Sequence, residues 1–202
     1  MIETKQDFFK AVEDRRSAYS ISKQSPISDE RIEEIVAYAI KHAPSAFNSQ
    51  SGRAVVLLGE NHDKLWNLTE AALKEIVPAE SFQPTADKMA SFRNGYGTVL
   101  FFEDQSVVKD LQERFPLYQD KMPDYSLQSS GMLQYIVWTS LQVEGLGASL
   151  QHYNPIIDDA VQKVWDIPSN WSLVSQMPFG QPTAAAGEKQ FNSLEERMKV
   201  FK

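Results

Sequence analysis

Arg15-Arg16-Ser17 is the first place in this 202-residue chain where residue types and spacing could hold a ligand. A guanidinium presents a planar fork of N–H donors to anionic oxygens, and a neighbouring hydroxyl adds a donor for phosphate or polyol oxygens. Two arginines at a helix C-terminus also complement the helix dipole, so the tripeptide alone fits either role. A second candidate is the run Ala43-Pro44-Ser45-Ala46-Phe47-Asn48-Ser49-Gln50-Ser51-Gly52-Arg53. Its Asn48 and Gln50 amides both donate and accept, which matches the mixed edge of a neutral heteroaromatic ring. The same residues could equally be a serine-rich capping loop.

Two further segments follow. In Gly145-Leu146-Gly147-Ala148-Ser149-Leu150-Gln151-His152-Tyr153, glycines flank a short apolar stretch. Such a segment can bring backbone N–H groups against a flat ligand, or simply cap a helix before an edge strand. His152 fits a ligand donor and an ordinary loop histidine equally well. Phe179-Gly180-Gln181-Pro182 is a turn, with Lys189 downstream as a cation for a phosphate or as a plain solvated side chain.

Other chemistries are excluded or weak. The chain has no cysteine, so disulfides, thiolate metal sites and cysteine nucleophiles are absent. His42, His62 and His152 lie far apart and no HExxH spacing occurs, so no metal site is expected. Gly95-Tyr96-Gly97 precedes a strand candidate instead of following one, unlike a dinucleotide fingerprint. No nucleophile elbow or P-loop is present, and no catalytic acid–base residue is assigned. Glu103-Asp104, at a strand end, reads as a solvated turn. The net charge of -7 and pI near 5.0 disfavour nucleic acid as a partner. No apolar run approaches a membrane span and the N-terminus lacks a signal pattern, so the expected location is the cytoplasm.

The elements that must position these segments follow from periodicity. Helices are predicted at residues 5–16, from the N-cap Ser28 to Pro44, and at 62–77, 84–89, 105–115, 126–144 and 156–165. Strands are predicted at 54–58, 98–102, 148–150 and 172–176, with a small polar tail from Gly180 that turns helical near Ser193. The long 126–144 helix is apolar widely around its circumference, as in a domain centre or a dimer interface. With 42% hydrophobic residues and no linker, the whole chain reads as one α+β domain with a buried core.

Taken in order, Arg15-Arg16-Ser17, PSAFNSQSGR, RNGYGTVLFFED, GASLQHY, FGQP and a downstream lysine resemble the nitroreductase family across nearly the whole chain. The likeness is greatest to its short subfamily of fatty-acid-repression and copper-induced nitroreductases. The resemblance implies helices around a mostly antiparallel central sheet, in an intertwined homodimer with FMN sites at the interface. It implies that Arg15, Arg16 and Ser17 hold ribityl and phosphate groups and that Lys189 reaches the phosphate. Ser45, Asn48 and Gln50 would meet the flavin ring, in part from the partner subunit, with Leu150, Gln151 and His152 at its other edge and Lys88 as a further contact. Tyr19 stands where the family often has a basic residue. The implied activity passes electrons from NAD(P)H through flavin to a nitroaromatic, quinone or similar small acceptor. The alternative is a flavin-binding sensor without significant turnover.

Overall fold

The computed structural model describes residues 7–202. Three antiparallel neighbours form its centre: β2 (Gly52–Leu58), β3 (Gly97–Asp104) and β5 (Trp171–Pro182). The short β1 (Ile21–Ser22) pairs with the far end of β5, giving the order β1-β5-β3-β2, and β4 (Gly147–Ala148) also pairs with β5. Every residue of β3 is buried. Its side chains alternate between faces, as strand geometry requires. Val99 and Phe101 pack with α2 (Asp29–His42) and α6 (Met122–Val143). Leu100 and Phe102 pack with α3 (Glu60–Lys74), α4 (Gln83–Arg93) and α7 (Asp158–Trp165). The molecule is therefore a helix–sheet–helix sandwich of the α+β class, with α1 (Phe8–Asp14) against α6 and α5 (Gln105–Arg114) beyond β3.

Local chemistry sets the boundaries. Ser28 caps α2 by accepting from the Arg31 N–H, and Asp29 and Glu30 occupy the first turn. The long helix starts at Met122, earlier than expected, because Pro123 is tolerated in a first turn. β5 runs well past residue 176. Pro178 and Gly180 read as strand stops in sequence, yet Pro178 still offers its carbonyl, which accepts from the Ser149 N–H. Gly180 is needed there, because a Cβ would meet the Ser22 carbonyl oxygen at 2.3 Å. β2 is half-buried, not buried, because it lies at the sheet edge. The predicted C-terminal helix is a single turn closed on the Leu194 carbonyl, and its residues are exposed. The predicted first helix begins at Phe8 behind the N-cap Asp7, and its first two expected residues lie outside the described region.

His62 is buried in the core beside β3. Trp66 Nε1 donates to Thr98 Oγ1 at 3.0 Å, and His62 Nδ1 lies 2.9 Å from the same oxygen. His62 Nε2 faces the Arg93 carbonyl at 3.3 Å. The network is satisfied when the ring is neutral: Thr98 donates to Nδ1 and Nε2–H donates to Arg93. Burial pushes the ring down to about 4. The unfolded chain then binds the extra proton first, so stability is lost as pH falls from 6.5 toward 4. We expect the His62 ring resonances to titrate near pH 4 by NMR; a midpoint near the ordinary value would refute the buried neutral ring.

Candidate functional site

The segment after α1 runs extended, and Ser17 forms a parallel bridge with Ala148 of β4. The Ala18 N–H donates to the Ala148 carbonyl at 2.9 Å, fixing the turn to the sheet. Past β5 the C-terminal tail crosses the same turn: the Thr183 N–H donates to the Ser20 carbonyl, and Arg16 donates to the Gly187 carbonyl at 2.8 Å. The space between them is about 480 Å³ and is lined by Arg15, Arg16, Ser17, Tyr19, Gly187 and Lys189. Three cations thus converge in a chain whose net charge is -7. Arg15 lies 4.3 Å over the Trp138 ring. Its Nε is buried without a hydrogen-bond partner among the described residues. A pocket of this sort takes an anionic group with several oxygens.

The second candidate segment is a tight loop between α2 and β2. Phe47, Asn48 and Gln50 all have positive φ, at 54°, 52° and 53°. Such backbone is costly outside glycine, although asparagine tolerates it. The loop is closed at its base by the Gln50 N–H donating to Ser45 Oγ at 2.9 Å. It is fastened at its exit to the end of β3. The Ser51 hydroxyl donates to Glu103, the Asp104 N–H donates to the Ser51 carbonyl, and Arg53 bridges the Gln50 carbonyl and Asp104. Phe47, half-exposed at the tip, stacks on Phe115 with centroids 4.1 Å apart.

These contacts correct the reading of Glu103-Asp104 as a solvated turn. Both side chains are buried. Burial pushes the Glu103 carboxyl up, against the hydroxyls of Ser126 and Ser51 that pull it down. For Asp104 burial acts the same way, but hydrogen bonds from Ser106 and Asn170 and the charge of Arg53 prevail and hold it below its usual value. Two acids at a strand end give no signal of burial in sequence, because apart from Ser106 their partners lie far along the chain, at Ser51, Arg53, Ser126 and Asn170.

The remaining expected residues fall in three places. Leu150 packs against the core, and Gln151 is buried with its backbone paired to Gln176 and its amide donating to Ser149 Oγ. His152 beside them is exposed. Asn48 and Gln50 are exposed, and no residue lining the cationic pocket also lines the small cavity at Ser45 and Gln50. Lys88 stands on the solvent side of α4, over Phe92, and lines neither. Residues 184–187, which close the cationic pocket, carried no signal because a run of alanines and glycine has no ligating group.

The same fold occurs in known proteins. The family model described as the nitroreductase family matches residues 12–181. The HBN1 protein of Saccharomyces cerevisiae is 36% identical over 186 residues, 91% of this chain and 92% of its own. Nitroreductase CinD from Lactococcus lactis, solved in complex with chloramphenicol, is 44% identical with a TM-score of 0.89, covering 97% of this chain and 100% of that one. A protein of Desulfovibrio desulfuricans solved in complex with FMN shares the fold alone, at 19% identity and a TM-score of 0.70 over 98% of this chain and 100% of that one. Matched over most of its length by the family model and by a relative above 30% identity, the chain belongs to the nitroreductase family.

Proposed function

We propose that the protein is an FMN-dependent oxidoreductase that works as a homodimer, taking electrons from NAD(P)H and delivering them to nitroaromatic, quinone or similar small acceptors. The observation that carries this reading is the convergence of Arg15, Arg16, Ser17 and Lys189 on one pocket of about 480 Å³ in an acidic chain. The fit is chemical. The buried Arg15 Nε awaits an acceptor, and the guanidiniums and the Ser17 hydroxyl suit phosphate and ribityl oxygens. CinD was solved with chloramphenicol, a nitroaromatic, which supports that acceptor class.

When bound, FMN supplies the two-electron chemistry that connects a nicotinamide donor to the acceptor. The chain binds and orients. Arg15, Arg16 and Lys189 neutralise the phosphate, and Ser17 hydrogen-bonds the polyol. Asn48 and Gln50 present amides, with Ser45 at the loop base, and the Leu150, Gln151 and His152 segment beside β4 forms the ring's other wall. Lys88 is assigned to the site by resemblance. No side chain is required as an acid or base for hydride movement.

Dimerisation supplies the missing convergence of loop and pocket. A groove of about 830 Å³ runs between α1 and α6 and is lined by Phe8, Ile35, Met132, Tyr135, Ile136 and Val143. Phe8, Phe9, Leu127 and Met132 are exposed along it or beside it, and the tail exposes Phe191, Leu194, Met198 and Phe201. Apolar surface on this scale marks a partner surface, and a symmetric copy satisfies it.

Purified protein is expected to show a flavin spectrum that bleaches with NAD(P)H under anaerobic conditions and recovers on adding 4-nitrophenol. A bound flavin that does not bleach would move the function to sensing, and failure to bind added FMN would overturn the reading. Replacing Arg16 with alanine should weaken FMN binding roughly 10- to 100-fold, the worth of a charged hydrogen bond; unchanged affinity in a fluorescence titration removes Arg16 from the site. Deleting residues 188–202 should lower the mass seen by light scattering toward that of the monomer and release flavin. A dimer that keeps its mass would show that the tail is not part of the interface.

A further inference from the structure

Behind the 45–51 loop lies a carboxyl group that the proposed chemistry does not use. Glu103 is 1% exposed. Its Oε2 accepts from the hydroxyls of Ser51 at 2.6 Å and Ser126 at 2.5 Å. Its Oε1 is buried with no hydrogen-bond partner among the described residues. Glu103 borders a cavity of about 20 Å³, together with Ser45, Gln50, Gly52 and Ser129. That is room for one water-sized atom. A Cβ on Gly52 would stand 3.6 Å from Oε1 and 3.1 Å from a Leu133 methyl, so the glycine keeps this side open.

Resting on the assignment of residues 45–51 as the ring-facing loop, we propose that Glu103 is the positioning residue for that loop and acts as a neutral carboxylic acid. Its Oε2 fastens Ser51 and α6 together, and its Oε1–H donates into the cavity beneath Ser45 and Gln50.

Of the charged groups nearby, Arg53 favours a carboxylate through its charge alone, its hydrogen bonds going elsewhere. Arg53 on β2 spends its guanidinium on Asp104 and the Gln50 and Gly52 carbonyls. Asp104, the next residue on β3, is itself an anion and repels a second one. The loop and α6 present only hydroxyls, from Ser51 and Ser126. Two neutral donors on one oxygen are a thin shell for a buried anion, whereas a protonated acid leaves each oxygen with one role. Burial accordingly pushes this carboxyl up. Ionisation would keep the Ser51 and Ser126 hydroxyls in place but remove the Oε1–H donor and put a negative charge in the cavity that Gln50 also lines, beneath the amide the ring is to meet.

The sign follows from linkage. A carboxyl raised on folding favours the folded state at low pH, and that contribution is lost as pH rises above the ordinary value of 4.5 and through the folded one. The test compares wild type with Glu103→Gln, which keeps the shape and the donor of the neutral acid. Two quantities are followed from pH 5 to 9 on the full chain: FMN affinity by quenching of flavin fluorescence, and the thermal midpoint without FMN. Wild type should lose about tenfold in affinity relative to Glu103→Gln as pH rises, about 1.4 kcal/mol, and its midpoint should fall relative to the variant over the same window. Parallel profiles in both measurements overturn the proposal. A divergence in melting with parallel FMN profiles also overturns it, leaving Glu103 a purely structural acid. Wild type that binds no FMN at any pH sinks the flavin reading instead, while the melting comparison still reports the proton on Glu103. Should Glu103→Gln fail to fold, Ser51→Ala takes its place: cutting the link must weaken FMN binding about tenfold, and unchanged affinity overturns the proposal.

Discussion

The structure turns on holding one short loop in a conformation it would not adopt alone. Three non-glycine residues with positive φ fall within four positions, at Phe47, Asn48 and Gln50. Each costs on the order of 1–3 kcal/mol in general, less for asparagine. Such strain persists only where the surroundings over-determine it. Here they do: the loop ends on the last residues of a fully buried strand, through Ser51, Glu103, Arg53 and Asp104. The buried sheet pairing of β3 with both neighbours makes that end immovable, so the exposed amides of Asn48 and Gln50 are presented by a rigid scaffold.

The cationic pocket depends on the same sheet by a different route. β5 is long enough to pair with β3 at its start and with β1 and β4 at its end. That places the N-terminal turn beside the Gly147 segment and the exit of the tail, both more than a hundred residues further along the sequence. A chain of net charge -7 still carries a locally cationic pocket because topology concentrates Arg15, Arg16 and Lys189, whatever the average surface does.

This division explains what was legible in the sequence. α2 could be read to within a residue or two, since Ser28, Asp29 and Glu30 announce its start and Pro44 its end. The alternating facing of the β3 side chains was hidden inside an apolar run, which showed a buried strand but not which face each residue serves. β5 was cut short because proline and glycine act as breakers in isolation, and only pairing on both sides overrides them. β1 is two residues long and exists because β5 continues past it. Arg15, Arg16, Ser17 and Lys189 could be grouped only through their order along the chain; their meeting in one pocket needed the tail to cross the turn. Glu103 was misread because a carboxyl's environment is wholly tertiary.

The two halves of the ligand machinery face different ways within one chain, and this decides how the site must be assembled. The strained loop opens beside α6 and the 116–121 segment, whereas the phosphate pocket opens beside the tail. The same α6 that backs the loop with Ser126 and Ser129 also turns Leu127, Met132 and Tyr135 to solvent. In the proposed homodimer, a symmetric partner burying this face of α6 would bring its own loop into play. On the proposed homodimer, the apolar stripe, the exposed tail and the two candidate half-sites become one feature, because the surface that would make the dimer is also the one that would complete the ligand's surroundings.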